Sequence, residues 1–394
     1  MSNAEYVTGS GSGSNRLRTM VWSLFRCEKG QPPDAGPLAG RLPDGDAFWA
    51  AVEERRGDVA RALYARYPLT PRSYVARYFL TFARQNRGNP RALLYLDAEL
   101  GAPGRGVALL EALESGGVTV AGARCLDIGC ANGAFLLAAA ARGASRVVGV
   151  EISEGRLRSA GRLTKGTNVE FLALDISRDD LPDGFGPFDV VFCVDTLEHV
   201  SSAEATLSAI GKHLAPGFKS RAFVSVFNPR HPGNVSAEPH YGVPAMVLLL
   251  RDEARDLWND VRGSFGSSLD YEVSDWVPYR ELAEILRRVD LASSLFVDSR
   301  PALDRSRPFW AGYQKRIEEL EARVAAGIDA LRTRPALREL LRARLRRYCA
   351  GYVQDHTQLA SSADPPDATL LDFYMDYYAQ PIQVVLRHAE NHRS

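Results

Sequence analysis

The sequence has little of several features that would assign a protein to a specialised class. It has five cysteines in 394 residues, and no two have the spacing of a metal site or a disulfide framework, so we interpret them as thiols of a reducing compartment, the cytoplasm. Lysine plus arginine equals aspartate plus glutamate, at 48 each. This balance supplies no long-range field toward nucleic acid or an anionic membrane, so neither is an expected partner.

Long apolar runs are also missing. The longest, at 135–141 and 245–250, are far shorter than the ~20 residues that span a bilayer, so no membrane anchor is expected. The amino terminus lacks the charged start and apolar run of a secretory signal. Its Ser-Gly repeat at 10–14 predicts a flexible leader over residues 1–15.

Two helical regions are predicted to flank a central domain. Apolar residues recur at helical spacing from 46 to 117, and prolines at 68, 71 and 90 divide this part into short helices. We therefore expect a helical amino-terminal region at 16–118, a core at 119–300 and a helical carboxy-terminal region at 301–394, which has a loop at 361–367. The last region is expected to close a pocket or to form a homodimer.

Within the core, short apolar runs alternate with longer helix-like segments. This alternation of strand-like and helix-like segments predicts an α/β domain with a mainly parallel sheet. We place strands at 124–126, 146–150, 169–174, 188–194, 220–227 and 295–298, and an amphipathic helix at 279–289. No further strand is evident after Asp298, and the Pro/Gly/His-rich stretch at 228–242 is too long for an ordinary connection, so it is functional or disordered.

The first predicted strand runs through Asp127 into a turn of small residues. Gly129, Cys130 and Gly133 allow a ligand to approach the backbone, and the helix that begins near Phe135 offers its first amide groups. Cys130 itself is interpreted as a small filler without a catalytic role.

A dinucleotide loop is the obvious alternative for this turn. It would need G-x-G-x-x-G, but Ala131 and Ala134 replace two of the glycines. Asp127 would also lie close to two phosphate charges. A cationic ligand such as S-adenosylmethionine, with its ammonium and sulfonium groups, fits this acidic turn better.

Acidic residues also end the next three predicted strands. Glu151 follows about twenty residues after the glycine turn, where an acid binds ribose hydroxyls, and Ile152 beside it is included in the candidate site. Asp175 is placed to bind the adenine amino group and Ile176 to cover a ring face, although Asp175 also suits a turn cap. Asp195 ends the fourth strand, and the carboxyl ends of parallel strands are where such sheets bind ligands.

The runs CLDIGCANGAF, VVGVEIS, ALDIS and FDVVFCVDTLEHV resemble the class I S-adenosylmethionine-dependent methyltransferases. The resemblance is greatest to the group with a Leu-Glu-His motif after the fourth strand. It implies a Rossmann-like sheet of seven strands with the last antiparallel, and S-adenosylmethionine as cofactor. It also implies that Asp127 and Gly129 line the methionine moiety, that Glu151 binds the ribose, that Asp175 and Ile176 bind the adenine, and that Asp195 lies near the methionine. Ala131 departs from the family, in which a second glycine is common.

The stretch after the fifth strand holds the candidate catalytic residues. Removing a hydroxyl proton suits an imidazole, and we take His240 in Glu-Pro-His-Tyr-Gly as the candidate base, with His231 second. A rigid loop whose imidazole bonds to the backbone is the alternative. His199 and Glu198 are interpreted first as packing and cap residues. We find no cluster of metal ligands and expect no metal to be required.

We expect the acceptor of the methyl group to be a small molecule. We favour O-methylation of a hydroxyl on a secondary metabolite or sugar, in natural product biosynthesis. N-methylation of a metabolite or peptide, or a non-catalytic protein that binds S-adenosylmethionine, remain open. Aromatic residues either wall the acceptor pocket or pack between domains: Trp49, Trp258, Trp276, Trp310, Tyr374, Tyr377 and Tyr378. The arginine-rich stretch 332–347 is interpreted as a solvated helix face.

Overall fold

The structure is a computed structural model, and it describes residues 50, 56–85, 92–217, 219–265, 267, 270–296, 312–362 and 367–389. The predicted leader, Trp49, Asp298, Trp310 and most of the 361–367 loop lie outside these residues. The chain divides into two compact units. The amino-terminal unit runs to Phe192 and includes His213–Ala222, and the carboxy-terminal unit holds Cys193–Lys212 and Phe223–Ser394.

Helices and strands alternate through the middle of the chain, as expected, except between Ala173 and Val190, where no helix separates two strands. The helices are α1 (Arg56–Arg66), α2 (Arg72–Gln85), α3 (Ala92–Ser115), α4 (Ala134–Ala141), α5 (Glu154–Leu163), α6 (Ala203–His213), α7 (Pro232–Ser236), α8 (Arg251–Val261), α9 (Tyr279–Arg288), α10 (Tyr313–Asp329), α11 (Pro335–Ser361) and α12 (Asp367–Tyr377). The strands are β1 (Arg124–Ile128), β2 (Arg146–Glu151), β3 (Val169–Ala173), β4 (Val190–Val194), β5 (Arg221–Val226), β6 (Leu291–Leu295) and β7 (Ile382–His388).

The strands form one sheet in the order β3-β2-β1-β4-β5-β7-β6. β1 pairs parallel with β2, and β2 pairs parallel with β3, in a register that sets Asp127 opposite Gly149. β6 and β7 are antiparallel, with Leu291 opposite His388. The seven-stranded Rossmann-like sheet with an antiparallel last strand is thus confirmed, as are helical regions toward both ends of the chain.

The last two strands correct the prediction made from the sequence. β6 occupies Leu291–Leu295, so it begins four residues before the strand predicted at 295–298. The reason is that Leu-Ala-Ser-Ser-Leu carries too little apolar character to be recognised beside the Leu-Phe-Val run that follows. β7 lies at Ile382–His388, inside the region expected to be helical. Helices α10 to α12 therefore stand in the chain between β6 and β7 and do not follow a finished sheet.

The amino-terminal unit packs its first helices over a small apolar core. Val59, Leu63, Tyr74, Leu96 and Leu100 are among its buried members. One guanidinium on α2 also closes the end of α5: a nitrogen of Arg77 donates to the backbone carbonyls of residues 162, 163 and 165 at 3.0–3.3 Å. Since the last carbonyls of a helix have no partner within it, this contact fixes the helix that follows β2.

The carboxy-terminal unit has a larger core, to which α8, α10, α11 and α12 contribute. Trp258 and Tyr377 are fully buried in it, so these two of the predicted pocket aromatics are core residues. Arginines of the 332–347 stretch form ion pairs with carboxylates, including Arg334 with Asp260 and Arg344 with Glu253. Among the described residues, we find no helix long and apolar enough to span a bilayer.

The long stretch after β5 is ordered and not a loose loop. The side-chain amide of Asn228 donates to the carbonyls of Met375, Asp376 and Ala379 at 2.7–3.2 Å. Its backbone amide donates to Oε1 of Gln380 at 3.2 Å. The end of α12 and the segment before β7 therefore hold Asn228, the second residue after β5, in place.

Candidate active site

The turn after β1 is built from residues with left-handed backbone. Gly129, Ala131 and Gly133 have φ of 75°, 47° and 72°, a region that favours glycine. The amides of Gly129 and Cys130 donate to the carbonyl of Val150 at 2.8 and 3.0 Å, which holds the turn against β2. The family commonly has a second glycine at the position of Ala131. The positive φ of Ala131 explains why glycine suits this position.

Two buried carboxylates, at the ends of β1 and β2, flank this turn. Asp127 is 3% exposed and Glu151 is 5% exposed. The carboxylate of Glu151 accepts the amides of Ala131 at 3.2 Å and Ser153 at 2.9 Å, so it joins the turn to the end of β2. Each oxygen keeps acceptor capacity for a further donor such as a ribose hydroxyl.

Burial, together with the charge of Glu151, raises the pKa of Asp127 to about 8. Two acids so close in a buried turn repel each other, and a cation placed between them would remove that repulsion. This electrostatic arrangement suits the ammonium and sulfonium of S-adenosylmethionine and would oppose a pyrophosphate. The residues after β1 and β2 therefore fit the expected cofactor.

The turn after β3 contains the predicted adenine-binding residues. Oδ1 of Asp175 accepts the amide of Ser177 at 3.1 Å and its hydroxyl at 2.6 Å, so the carboxylate does act as a turn cap. Ile176 is buried. Ile152, which follows β2, is 69% exposed. Of Ile152 and Ile176, Ile152 is therefore the one whose side chain is accessible to an incoming adenine ring.

Asp195 immediately follows β4 and belongs to the carboxy-terminal unit. Its backbone has φ of 50°, and its amide donates to the carbonyl of Ser225 at 2.8 Å. Its Oδ1 accepts the hydroxyl of the same serine at 3.0 Å. β5 therefore orients this carboxylate.

A cluster of acids and imidazoles lies in the same unit, formed by Glu198, His199, Glu238 and His240. Nδ1 of His240 is 2.7 Å from Oε1 of Glu238, and its Nε2 is 4.0 Å from Oε1 of Glu198. The rings of His199 and His240 meet edge to face with centroids 4.8 Å apart. We refer to these four residues as the His240 cluster.

The protonation of the cluster reflects its burial. Burial and the nearby charge of Asp195 raise the pKa of Glu198 to about 8. For His240, burial lowers the pKa, but the hydrogen bond and charge of Glu238 outweigh it with help from Glu198 and Asp195, so the net pKa is raised. The carboxylates of Glu238, Glu198 and Asp195 therefore favour the protonated form of the His240 imidazole.

Aromatic rings surround His240. Phe227, Trp276 and Tyr241 have ring centroids 5.4, 5.7 and 6.0 Å from that of His240. Trp276, unlike Trp258, therefore borders the candidate catalytic group. Its indole nitrogen is buried, and we find no hydrogen-bond partner for it among the described residues.

His231, the second candidate base, has a structural role. Its Nδ1 accepts the amide of Gly233 at 3.1 Å and caps α7, so this nitrogen is occupied by the backbone. Glu198 was expected to cap a helix, and no role was predicted for Glu238. The two-residue spacing in Glu-Pro-His was the available signal for the Glu238–His240 contact.

Comparison with known proteins identifies the family of the chain. The sequence model of a family described as a methyltransferase domain matches residues 89–293, just over half of the chain. The chain belongs to this methyltransferase family. The buried acids at the ends of β1 and β2 suit a cationic methyl donor such as S-adenosylmethionine.

Curated relatives match a shorter part of this methyltransferase. The ubiquinone biosynthesis O-methyltransferase of Pseudomonas fluorescens (strain Pf0-1) is 34% identical over 115 residues, which are 28% of this chain and 47% of that protein. The enzyme of the same name from Idiomarina loihiensis is 37% identical over 111 residues, or 27% and 43% of the two chains. The chain spans about half the length of the curated relatives that it matches.

Solved structures were also compared. The magnesium protoporphyrin IX methyltransferase of Synechocystis PCC 6803 is 20% identical, with a TM-score of 0.35 and coverage of 57% of this chain and 93% of that chain. A methyltransferase from Mesorhizobium loti is 19% identical, with a TM-score of 0.35 and coverage of 47% and 84%.

Proposed function

We propose that this methyltransferase O-methylates a hydroxyl on a small secondary metabolite or sugar. The hydrogen bond from His240 to Glu238 is the observation that carries this proposal. A carboxylate on Nδ1 leaves Nε2 with the lone pair that accepts a proton from a hydroxyl. The curated relatives that match just over a quarter of this chain are named as O-methyltransferases, which supports an oxygen acceptor.

For the cofactor, we propose that Asp127, Gly129, Cys130 and Gly133 receive the methionine end and that Glu151 holds the ribose hydroxyls. Ile152, Asp175 and Ile176 are proposed to surround the adenine, and Asp195 to lie near the methionine. We also propose that Leu197, Glu198 and His199 place the chain in the Leu-Glu-His group. The proposed core begins at 119 and now includes β7.

The proposed chemistry divides between the cofactor and the chain. When bound, S-adenosylmethionine supplies a methyl group from a sulfonium, and its transfer to the acceptor oxygen leaves neutral S-adenosylhomocysteine. His240 takes the proton that the hydroxyl loses, and Glu238 holds the resulting imidazolium. The rings of Phe227 and Trp276 lie beside His240 and leave less room for water there. This favours methyl transfer to a positioned acceptor over hydrolysis of the cofactor.

Calorimetry with S-adenosylhomocysteine tests the cofactor site. Glu151→Ala should weaken binding by at least about tenfold because it removes the acceptor of the ribose hydroxyls. Glu154→Gln is the matched control, since this nearby glutamate is exposed and its carboxylate pairs with Arg158 on the surface. Equal binding by the parent and Glu151→Ala would contradict the proposed site.

The acceptor proposal is tested with His240→Gln. This variant should keep cofactor affinity and lose methyl transfer in a screen of hydroxylated metabolites and sugars with radiolabelled cofactor. Nuclear magnetic resonance of the product, made with a ¹³C-methyl label, separates O-methylation from N-methylation. Unchanged transfer by His240→Gln would remove the histidine from the reaction, and a product labelled on nitrogen would reject the oxygen acceptor.

A further inference from the structure

Glu198 carries a buried carboxylate within the His240 cluster. It is 1% exposed, and neither of its side-chain oxygens has a hydrogen-bond partner among the described residues. A buried carboxylate is costly unless it is paired or neutralised. Its backbone, in contrast, is firmly held, because its carbonyl accepts the amides of Ser274 at 2.6 Å and Asp275 at 3.3 Å.

Two imidazoles complete a ligand set around this carboxylate. One ligand atom from each of Glu198, His199 and His240 can be chosen so that all three lie within 4.8 Å of one another. In a tetrahedral zinc site with bonds of about 2.0–2.1 Å, neighbouring ligand atoms lie roughly 3.3–3.5 Å apart. Side-chain movements on the order of 1 Å would therefore bring the set to that geometry.

Both imidazoles are oriented by oxygen acceptors in the manner of metal ligands. Nδ1 of His240 faces the carboxylate of Glu238 at 2.7 Å, and Nδ1 of His199 faces the backbone carbonyl of Glu272 at 3.1 Å. Because these oxygens only accept, each Nδ1 donates, and in the neutral ring this leaves Nε2 with the lone pair that a metal binds. A metal-binding histidine usually donates its other ring nitrogen in this way.

We propose that Glu198, His199 and His240 bind a divalent cation of the zinc type. Two imidazoles and one carboxylate suit Zn²⁺, whereas Mg²⁺ prefers oxygen ligands and retains its waters. Three protein ligands leave a fourth position for water or an acceptor oxygen. The aromatic rings around His240 provide the apolar surroundings that strengthen such a site.

The cation would refine the proposed function, and its catalytic consequence rests on that function. With a cation in place, a hydroxyl at the fourth position would be acidified by the metal and would lose its proton to solvent. The proton-accepting role proposed above for His240 would then apply to the cation-free protein. The oxygen then forms its bond to the methyl group while the methyl–sulfur bond breaks and its electron pair stays on sulfur. The proton, the charges and the leaving group therefore balance without another reactant.

Cation binding is measured without cofactor or acceptor. The full chain is treated with chelator, dialysed and titrated with Zn²⁺ in a calorimeter, and a separate metal-free sample is titrated with Co²⁺ as a spectroscopic probe of ligand geometry. One Zn²⁺ should bind per chain, and Co²⁺ should give the visible absorption of a low-coordinate site. Loss of an outer-shell partner weakens metal sites by about 10- to 100-fold, so Glu198→Gln and His240→Gln should each weaken Zn²⁺ binding by about 100-fold or more.

His388→Gln is the matched control, because this partly exposed histidine ends β7 outside the His240 cluster. It should bind Zn²⁺ like the parent, and all variants should retain S-adenosylhomocysteine binding as evidence of folding. The absence of Zn²⁺ binding by the parent, equal binding by Glu198→Gln, or tighter binding of Mg²⁺ than of Zn²⁺ would each overturn the proposal. A failed acceptor screen with Zn²⁺ bound would count against the proposed function alone.

Discussion

Glu238 and His240 form a contact within one tight turn: Oε1 of the carboxylate lies 2.7 Å from Nδ1 of the imidazole two residues later. The other carboxylate oxygen accepts the amide of Tyr241. Glu238 is therefore fixed by the backbone of the residue that follows the histidine. The pair is a rigid unit whose remaining ring nitrogen faces Glu198 at 4.0 Å.

Glu238→Gln tests whether this contact positions His240. An amide oxygen still accepts from Nδ1 but no longer supplies a charge, so kcat should fall by roughly 10- to 100-fold while cofactor affinity stays the same. The double variant with His240→Gln should be no slower than His240→Gln alone, because residues that act as one unit are not additive. Additive losses, or a parallel loss of cofactor affinity, would indicate a structural role for Glu238 instead.

The raised pKa of Asp127, about 8, predicts that cofactor affinity depends on pH. At pH 6 the group is mostly protonated, and binding an ammonium ion favours the carboxylate, so affinity should rise by up to about tenfold per pH unit as the pH increases toward 8. Calorimetry between about pH 5.5 and 7.5 stays below the pKa of an α-amino group, ~7.7–8.0. Asp127→Asn should bind more weakly and with a flatter pH profile. A parent affinity that is constant over this range would contradict the prediction.

Four of the first five strands, β1, β2, β4 and β5, were predictable because they are almost entirely buried. Such strands appear in the sequence as apolar runs between turn residues. The edge strand β3 is only partly buried, and its mostly apolar run, followed by Asp175, was the available signal. β7 carries a similar apolar run, but helices α10 to α12 separate it from β6. No local feature of the sequence says which sheet edge a strand pairs with after such an insertion.

The His240 cluster was predictable only in part. The identity of His240 as the candidate base came from its place after β5, but its meeting with Glu198 and His199 depends on how the stretch 228–242 folds back. That path is set by Asn228, which is bound to the end of α12 almost 150 residues later. Contacts of this range are fixed by tertiary structure and leave no periodic signal.

Gly149 shows why the turn after β1 approaches β2 so closely. A Cβ at this position would lie 2.6 Å from Sγ of Cys130 and 2.6 Å from Cδ1 of Leu136. Gly149→Ala should lower the free energy of unfolding by about 1–3 kcal/mol and weaken cofactor binding by displacing the turn. Gly161→Ala on α5 is the control: nothing lies within 4 Å of its added Cβ, and it should stabilise by about 0.5–1 kcal/mol. Chemical denaturation measures both, and equal effects would reject the packing explanation.

Asn228→Ala tests whether the anchoring of the 228–242 stretch supports the His240 cluster. The substitution leaves three carbonyls, those of Met375, Asp376 and Ala379, without this donor, so the free energy of unfolding should fall by about 2–4 kcal/mol. Asn168→Ala is the control, because its side-chain amide donates to one carbonyl, that of Ala144, at 2.9 Å, and its loss should cost about 1 kcal/mol. Since the cofactor residues Asp127 and Glu151 belong to the other unit, Asn228→Ala should lose methyl transfer at temperatures where it remains folded and still binds S-adenosylhomocysteine. Full transfer activity in a folded but destabilised Asn228→Ala would show that the anchor serves stability alone.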